Sequence, residues 1–192
     1  NGNKDRYDYV SNLQNGLKLF DFTLWGKRIG EDPKSLVDSV RFRLSGLGDP
    51  YPSGLLELKK NNTYTLSFNY RQYQYITYRE DQNVLFSATP NFDSTIHRGS
   101  ILLTVLPKDN VKLNFGYNHV SRDGNALTTV FPNLTPMEQD LNEQYNEYFI
   151  SADFPIANWD LNVKQSLWTY YNGDKIHAPT YQAYDSSLQT LV

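Results

Sequence analysis

Cysteine is absent from this chain of 192 residues, and its absence excludes several kinds of chemistry. Disulfides, a catalytic thiol, cysteine-ligated zinc and iron–sulfur clusters all require this residue. Covalent attachment of a c-type haem needs the pattern Cys-x-x-Cys-His, so such a haem would have to belong to another chain. We therefore expect no cofactor on this chain.

Long hydrophobic runs and an excess of basic charge are also missing. No apolar stretch approaches the roughly 20 residues that a membrane helix needs, so any crossing of a membrane would use strands. The formal net charge is -3, which gives no basic footprint for DNA or RNA, and we expect no nucleic-acid partner. No charged and then apolar leader precedes Asn1, so we expect a signal peptide to be already removed or to lie outside the given sequence.

Tyrosine, by contrast, is abundant. The chain has 15 tyrosines and 15% aromatic residues, while hydrophobic residues make up only 39%. This composition suits a sheet with an apolar outer face and a hydrated inner face, because tyrosine and tryptophan collect where such a sheet meets the two membrane interfaces.

The clearest local pattern is a hairpin over residues 101–120. Val111, Leu113, Phe115 and Tyr117 alternate with polar residues and glycine, which is the period of two of a strand with unlike faces. Residues 107–110 form a polar turn between the arms. Similar alternation predicts strands at 17–27, 37–45, 55–59, 63–78, 145–154 and 159–170, with a further strand beginning near Tyr181. Phe149 breaks the alternation of its strand.

The predicted connections differ in length. Those at 60–62, 107–110 and 155–158 are short, whereas those at 79–99, 122–144 and 171–183 are long, as is typical of outer-membrane barrels. We therefore predict an all-β fold and an antiparallel transmembrane β-barrel of the outer-membrane type, in contact with lipid of a bacterial outer membrane. Residues 1–16 would form an N-terminal lead, and residues 17–192 the strands. A soluble sandwich or a lipocalin-like barrel, with its apolar face inward, remains the alternative.

The strand count bears on closure. Bacterial single-chain barrels have an even number of strands, eight at the least, so an eight-stranded closure is open to this chain. Because residues 188–192 lack the terminal aromatic residue of such barrels, we expect the chain to be the N-terminal portion of a larger barrel.

One face of the predicted strands is polar and would line the lumen, where its groups meet water or a protein partner. These candidate lumen-facing residues are Arg41, Arg43, Thr65, Ser67, Asn69, Arg71, Lys112, Asn114, Asn118, Asp160, Asn162 and Lys164.

Several segments together resemble a known family. They are SVRFRLSGLGDPY at 39–51, LELK at 56–59, YTLSFNYR at 64–71, LPKDNVKLNFGY at 106–117 and RDG at 122–124. Residues 15–172 are similar to the early strands of the MtrB/PioB-like outer-membrane barrels. That resemblance implies a sheath around a multihaem c-type cytochrome that carries electrons across the outer membrane, with haem on the partner. Members are typically longer, and some carry an N-terminal cysteine pair that is absent here. The alternative function is a general outer-membrane porin or solute transporter.

Catalysis and metal binding find little support in the sequence. His97, His119 and His177 lie far apart and show no ligand spacing, so we expect them at a surface or interface. His119 and Ser121 share a strand face, but no orienting group or oxyanion site accompanies them. We expect neither an enzyme nor a metal site.

Overall fold

The computed structural model describes residues 17–30, 34–75, 93–108, 110–130 and 135–177. These residues form strands and no helix, which confirms the predicted all-β class. The strands are β1 (Leu19–Lys27), β2 (Ser39–Leu47), β3 (Ser53–Lys60), β4 (Tyr64–Tyr75), β5 (Ser94–Lys108), β6 (Val111–Val130), β7 (Thr135–Ile156), β8 (Trp159–Asn172) and β9 (Lys175–His177). Among the residues described, no helix is long and apolar enough to span a membrane.

The strands form one antiparallel sheet. β1 to β8 lie side by side in chain order, and β9 pairs with β7 beyond the end of β8. Each strand returns beside the one before it, as expected where short turns join antiparallel neighbours. Within the described ranges β1 and β8 are the outer strands and do not pair with each other, so the sheet is open there. The predicted N-terminal lead and the strand near Tyr181 lie outside these ranges.

The strand register sorts side chains onto two unlike faces. The apolar face is represented by one row of directly paired residues that crosses all eight strands: Leu24, Phe42, Leu56, Phe68, Ile101, Tyr117, Tyr148 and Leu167. The polar face is represented by the neighbouring row: Thr23, Arg43, Leu55, Asn69, Ser100, Asn118, Glu147 and Trp168. The alternation predicted from the sequence therefore extends across β1 to β8 at this level of the sheet.

The apolar residues do not stay at one level of the sheet. On β1 they are centred on Phe22. When the directly paired residues are followed from Phe22 across the sheet, the residue at the same level on β8 is Thr169. On β8 the apolar residues extend from Trp159 to Leu167 and are centred on Val163, six residues before Thr169. The apolar residues thus shift along the strands from β1 to β8.

The apolar face has no second layer of structure above it. Phe22, Phe68, Ile101, Phe115 and Ile150 are all exposed. In the part of the chain that the structure describes, the buried hydrophobic core consists of Leu141 alone. A sheet with one apolar face is stable only when that face is covered, so this face needs a covering that the described residues do not supply.

The prediction of a long loop over residues 122–144 is wrong, because strands occupy most of this range. β6 runs to Val130 and β7 begins at Thr135, and the two strands pair from Lys112 with Asp153 to Val130 with Thr135. Beyond Gly124 this hairpin projects past β5, because Ser94 is the last residue of β5 to pair with β6. Residues 122–126 and 137–144 carry polar groups on both faces, so their sequence lacks the alternation that marks a strand.

The prediction that short turns lie on one side and long loops on the other is wrong. β5 begins at Ser94 and not after 99, and β9 lies inside the predicted loop 171–183. The short connections predicted near 60–62, 107–110 and 155–158 are confirmed, and all three lie at the same end of the strands. The longer β1–β2 connection also lies at that end, while the connections at the other end include both short and long ones. The lengths of the connections therefore do not distinguish the two ends of the strands.

Phe149 breaks the alternation because it packs over a glycine. It pairs directly with Gly116 on the polar face, and its ring occupies the space of a Gly116 side chain: a Cβ there would lie 2.0 Å from Phe149 Cζ. The Nζ of Lys164 lies 4.2 Å from the ring centroid, a cation–π contact. An aromatic ring that covers a cross-strand glycine restores the packing that glycine lacks.

A carboxylate bridges the break between β8 and β9. The Asp174 Oδ1 accepts a 2.7 Å hydrogen bond from the backbone N–H of Asn142, and Oδ2 accepts one of 2.7 Å from the Gln139 amide. Gly173 N–H donates to the Asn142 carbonyl. The side chain of Asp174 thus takes the place of a missing strand partner and holds β9 against β7.

Asp174→Ala is expected to release β9 from β7. Two hydrogen bonds disappear and the Asn142 N–H loses its partner, a local loss of about 1–3 kcal/mol. Hydrogen exchange should therefore accelerate at residues 138–142 and 175–177 while β2–β5 keep their protection. Asp160→Ala removes the same charge from exposed β8 and serves as the control. Equal protection at 138–142 in both variants would contradict this role for Asp174.

Candidate functional site: the polar face of the sheet

All the predicted lumen-facing residues lie together on the polar face. The register of the paired strands places each of them on the same face as Arg43, and none of them lies on the apolar face. The structure thus brings onto one surface Arg41, Arg43, Thr65, Ser67, Asn69, Arg71, Lys112, Asn114, Asn118, Asp160, Asn162 and Lys164. Their contact with a lumen stays a prediction.

Asn114 is the centre of a hydrogen-bonded ladder across β5–β8. Its Oδ1 accepts from the Thr104 hydroxyl at 2.8 Å, and its Nδ2 donates to Ser151 and to Asp153, each at 3.1 Å. The Asn162 amide donates to the other oxygen of Asp153. Polar groups on four strands are therefore satisfied by one another, which fixes their positions.

Glu147 organises a second cluster beside this ladder. Its two carboxylate oxygens accept hydrogen bonds of 2.8 Å from the Asn118 amide and from Lys164 Nζ. Because Lys164 also lies against the ring of Phe149, its ammonium group is held from two sides. In this cluster the charges of Glu147 and Lys164 are paired with each other.

The β1–β2 end of the polar face carries a two-pronged ion pair. The Arg43 guanidinium donates from Nε at 3.2 Å and from Nη2 at 2.9 Å to the two oxygens of Asp21. Two parallel hydrogen bonds of this kind fix the orientation of the guanidinium. Nearby, the hydroxyls of Ser45 and Ser53 lie 2.8 Å apart across β2 and β3.

A cavity of about 700 Å³ opens on this face between the charged clusters. Side chains of β2 to β6 line it, among them Arg43, Asn69, Arg71, Arg98 and Asn118. Arg98 was not among the predicted residues, because the sequence at 79–99 predicted a loop. The apolar face also carries a depression, of about 630 Å³, lined mainly by hydrophobic side chains such as Leu103 and Phe115.

Large aromatic rings project from the polar face at its two outer strands. Trp25 on β1 and Trp168 on β8 are 67% and 63% exposed, and Tyr170 beside Trp168 is equally exposed. These residues were not among the predicted lumen-facing residues. The available signal was alternation within each strand, which puts Trp25 on the face of Asp21 and Thr23 and Trp168 on the face of Lys164.

The apolar face ends at a border of hydrogen-bonded tyrosine and histidine residues. The Tyr70 hydroxyl lies 2.8 Å from His97 Nδ1, and the Tyr117 hydroxyl donates to Asn146 Oδ1 at 2.8 Å. His119 Nδ1 lies 2.7 Å from the same oxygen. His119 and Ser121 do share a face, as predicted, but His119 is engaged by Asn146. In this border each ring contacts the apolar face while its polar atom reaches a polar neighbour.

Within the described ranges, histidine and acidic side chains form no group of three that could hold a metal ion. His97 contacts Asp123 and His177 contacts Asp140, each as a single pair. Comparison of the chain with protein-family models, curated proteins and solved structures finds no match. The function of this chain is therefore inferred from the geometry of its two faces.

Proposed function

We propose that this sheet forms part of the wall of an outer-membrane β-barrel, with its apolar face toward lipid and its polar face toward the lumen. The observation that carries the proposal is the uncovered apolar face, which includes Phe22, Phe68, Ile101 and Ile150. Lipid tails would cover these side chains, while the backbone groups of the inner strands are paired on both sides where these side chains lie.

The border of the apolar face supports this orientation. Tyr70, Tyr117 and Tyr148 lie where the apolar residues give way to Gln72, Asn146 and Thr169. The rings of Tyr117 and Tyr148 are 4.9 Å apart, which makes a short aromatic belt. Tyrosine favours membrane interfaces because its ring is apolar and its hydroxyl is polar.

We further propose that the lumen holds a multihaem c-type cytochrome, so that the barrel is a sheath for electron transfer across the outer membrane. The exposed rings of Trp25, Trp168 and Tyr170 on the polar face favour a protein surface over water, since large exposed aromatic residues are typical of protein interfaces. The partner would supply the haem, and this chain would supply the polar wall that positions it. The resemblance to MtrB/PioB-like barrels agrees with this role.

A general porin or solute transporter is the second candidate. The ladder around Asn114 and the cluster around Glu147 favour it, because their polar groups are satisfied within the wall and need only water beyond it. The two candidates differ in whether a protein contacts the aromatic residues of the polar face.

The sheath proposal predicts that haem travels with the barrel. When the membrane-extracted chain is purified, a haem Soret band should co-elute with it although the chain has no cysteine to attach haem. The double variant Trp25→Ala/Trp168→Ala should reduce the ratio of haem to barrel, since loss of one interface tryptophan costs about 2 kcal/mol, or about thirtyfold in affinity.

Trp159→Ala is the matched control, because Trp159 is equally exposed but lies on the apolar face, and it should leave the haem ratio unchanged. Colourless material that conducts ions in planar bilayers would contradict the sheath and favour the porin. Release of the chain from cells without detergent would contradict the barrel itself.

A further inference from the structure

We propose that Arg71 and Arg98 together form a binding site for a carboxylate or phosphate group in the cavity of the polar face. The two residues are directly paired across β4 and β5, and both line the cavity. Side chains that face each other in this way have Cβ atoms about 5 Å apart. This inference deepens the proposed function, since it rests on the polar face lining a lumen, and it names a chemistry for what that lumen holds.

Tyr73 holds both guanidinium groups in place. Arg71 Nη1 donates a 3.1 Å hydrogen bond to the Tyr73 hydroxyl, and the Cζ of Arg98 lies 5.6 Å from the centroid of the same ring. Tyr73 is in turn packed edge to face against Tyr51, with ring centroids 6.1 Å apart. The two cations are therefore positioned before any ligand arrives, which lowers the ordering cost of binding.

Two like charges directly opposite each other destabilise a sheet unless a counter-charge is present. The paired residues on either side are neutral, Ser53 on β3 and Val120 on β6. Within the ranges described, no carboxylate lies within salt-bridge distance of Arg71 or Arg98.

The carboxylates nearest in the sheet have other partners. Asp21 is bound by Arg43, Glu147 by Lys164 and Glu143 by Arg122. The missing counter-charge is therefore best supplied by a ligand in the cavity.

The shape of the donors indicates the class of ligand. Each guanidinium is a planar fork that matches the two oxygens of a carboxylate or phosphate. Asn69, Ser100 and Asn118 line the same cavity and offer neutral hydrogen-bond donors around the oxyanion. A small anion in solution and an acidic side chain of a protein in the lumen present this same group.

Titration calorimetry of the detergent-extracted full chain with inorganic phosphate tests the site. Saturable binding is expected, and Arg71→Gln and Arg98→Gln should each weaken it at least tenfold. Arg41→Gln is the matched control, because Arg41 lies on the same face opposite Glu57 and outside the cavity, and it should change binding less than twofold. Tyr73→Phe retains both cations but removes the hydroxyl that positions Arg71, and we expect it to weaken binding about threefold.

The source of the anion follows from a second arm. If a protein in the lumen supplies the carboxylate, the complex with its partner should take up no phosphate, and Arg71→Gln and Arg98→Gln should release that partner where Arg41→Gln does not. If all three arginine variants bound phosphate as tightly as the unchanged chain, the site would be overturned. It would also be overturned if no phosphate bound and none of the three variants released a partner. A chain that dissolves without detergent would contradict the proposed outer-membrane barrel. The same titration in buffer without detergent would still show whether Arg71 and Arg98 bind an anion.

Discussion

Ile101→Arg is expected to destabilise this protein in a lipid bilayer, because the proposed orientation turns Ile101 toward lipid. Ile101 lies near the middle of the apolar face, directly between Phe68 and Tyr117. An arginine that faces lipid near the bilayer midplane costs about 2–4 kcal/mol, because its charge must leave water. Urea-induced unfolding from phospholipid vesicles should show the loss as a lower transition midpoint.

Leu102→Arg is the matched control, one residue along the same strand. Ile101 and Leu102 are 39% and 36% exposed, but Leu102 lies on the polar face between Ser67 and Gly116. A lumen would hydrate the new arginine, so the transition should move little. If both faces met water, the two variants would behave alike, and equal midpoints would therefore contradict the assignment of Ile101 to lipid.

Gly124→Ala should disrupt the end of the β5–β6 pairing. Gly124 has a φ of 120°, a conformation that residues with a side chain rarely adopt. A Cβ at this position would lie 2.1 Å from the Asp93 carbonyl oxygen, the acceptor of a 2.8 Å hydrogen bond from Asn125. The neighbour is backbone and cannot rotate away, so we expect a loss of about 3 kcal/mol.

The loss should be local at first. Hydrogen exchange at residues 93–98 and 120–125 should accelerate before the rest of β6 responds. Gly99→Ala provides the control on β5, since a Cβ there meets no atom within 4 Å and strand propensity favours alanine slightly. Unchanged exchange near Asp93 in Gly124→Ala would show that the backbone has room that this structure does not have.

The sequence predicted strands well wherever one face is apolar. Val111 to Tyr117 and Tyr64 to Tyr70 alternate because adjacent residues meet unlike surroundings, and both stretches are strands in the structure. The extensions of β6 to Val130 and of β7 back to Thr135 were missed because polar residues in these sequences occupy both even and odd positions, so backbone pairing there leaves no trace in hydropathy. The sequence shows that Phe149 breaks the alternation of its strand. The reason is that Gly116 lies opposite it, and this pairing is known only from the register of β6 and β7.

The candidate site was predictable to the same extent. Parity within a strand was enough to place Arg71, Asn114 and Lys164 on one face, because parity depends only on the strand itself. The pairing of Arg71 with Arg98 was not predictable, because the register between two strands depends on the connection and packing that join them. Alternation thus gives the face of a residue, and only the folded sheet gives its neighbours.

In the proposed barrel wall, the shift of the apolar residues from Phe22 on β1 to Val163 on β8 would correspond to strands tilted from the membrane normal. A lipid layer is flat, so residues at one depth must follow its plane and not the rows of paired residues. Six residues of shift over the seven steps between β1 and β8 correspond to a tilt of about 30° at roughly 3.3 Å per residue and 4.8 Å per strand.

At that angle the apolar stretch of β8, from Trp159 to Leu167, would rise about 23 Å along the membrane normal, close to the roughly 25 Å of an outer-membrane apolar band. In the proposed barrel wall, the band of apolar side chains would therefore cross the sheet obliquely and match the hydrophobic thickness of the bilayer.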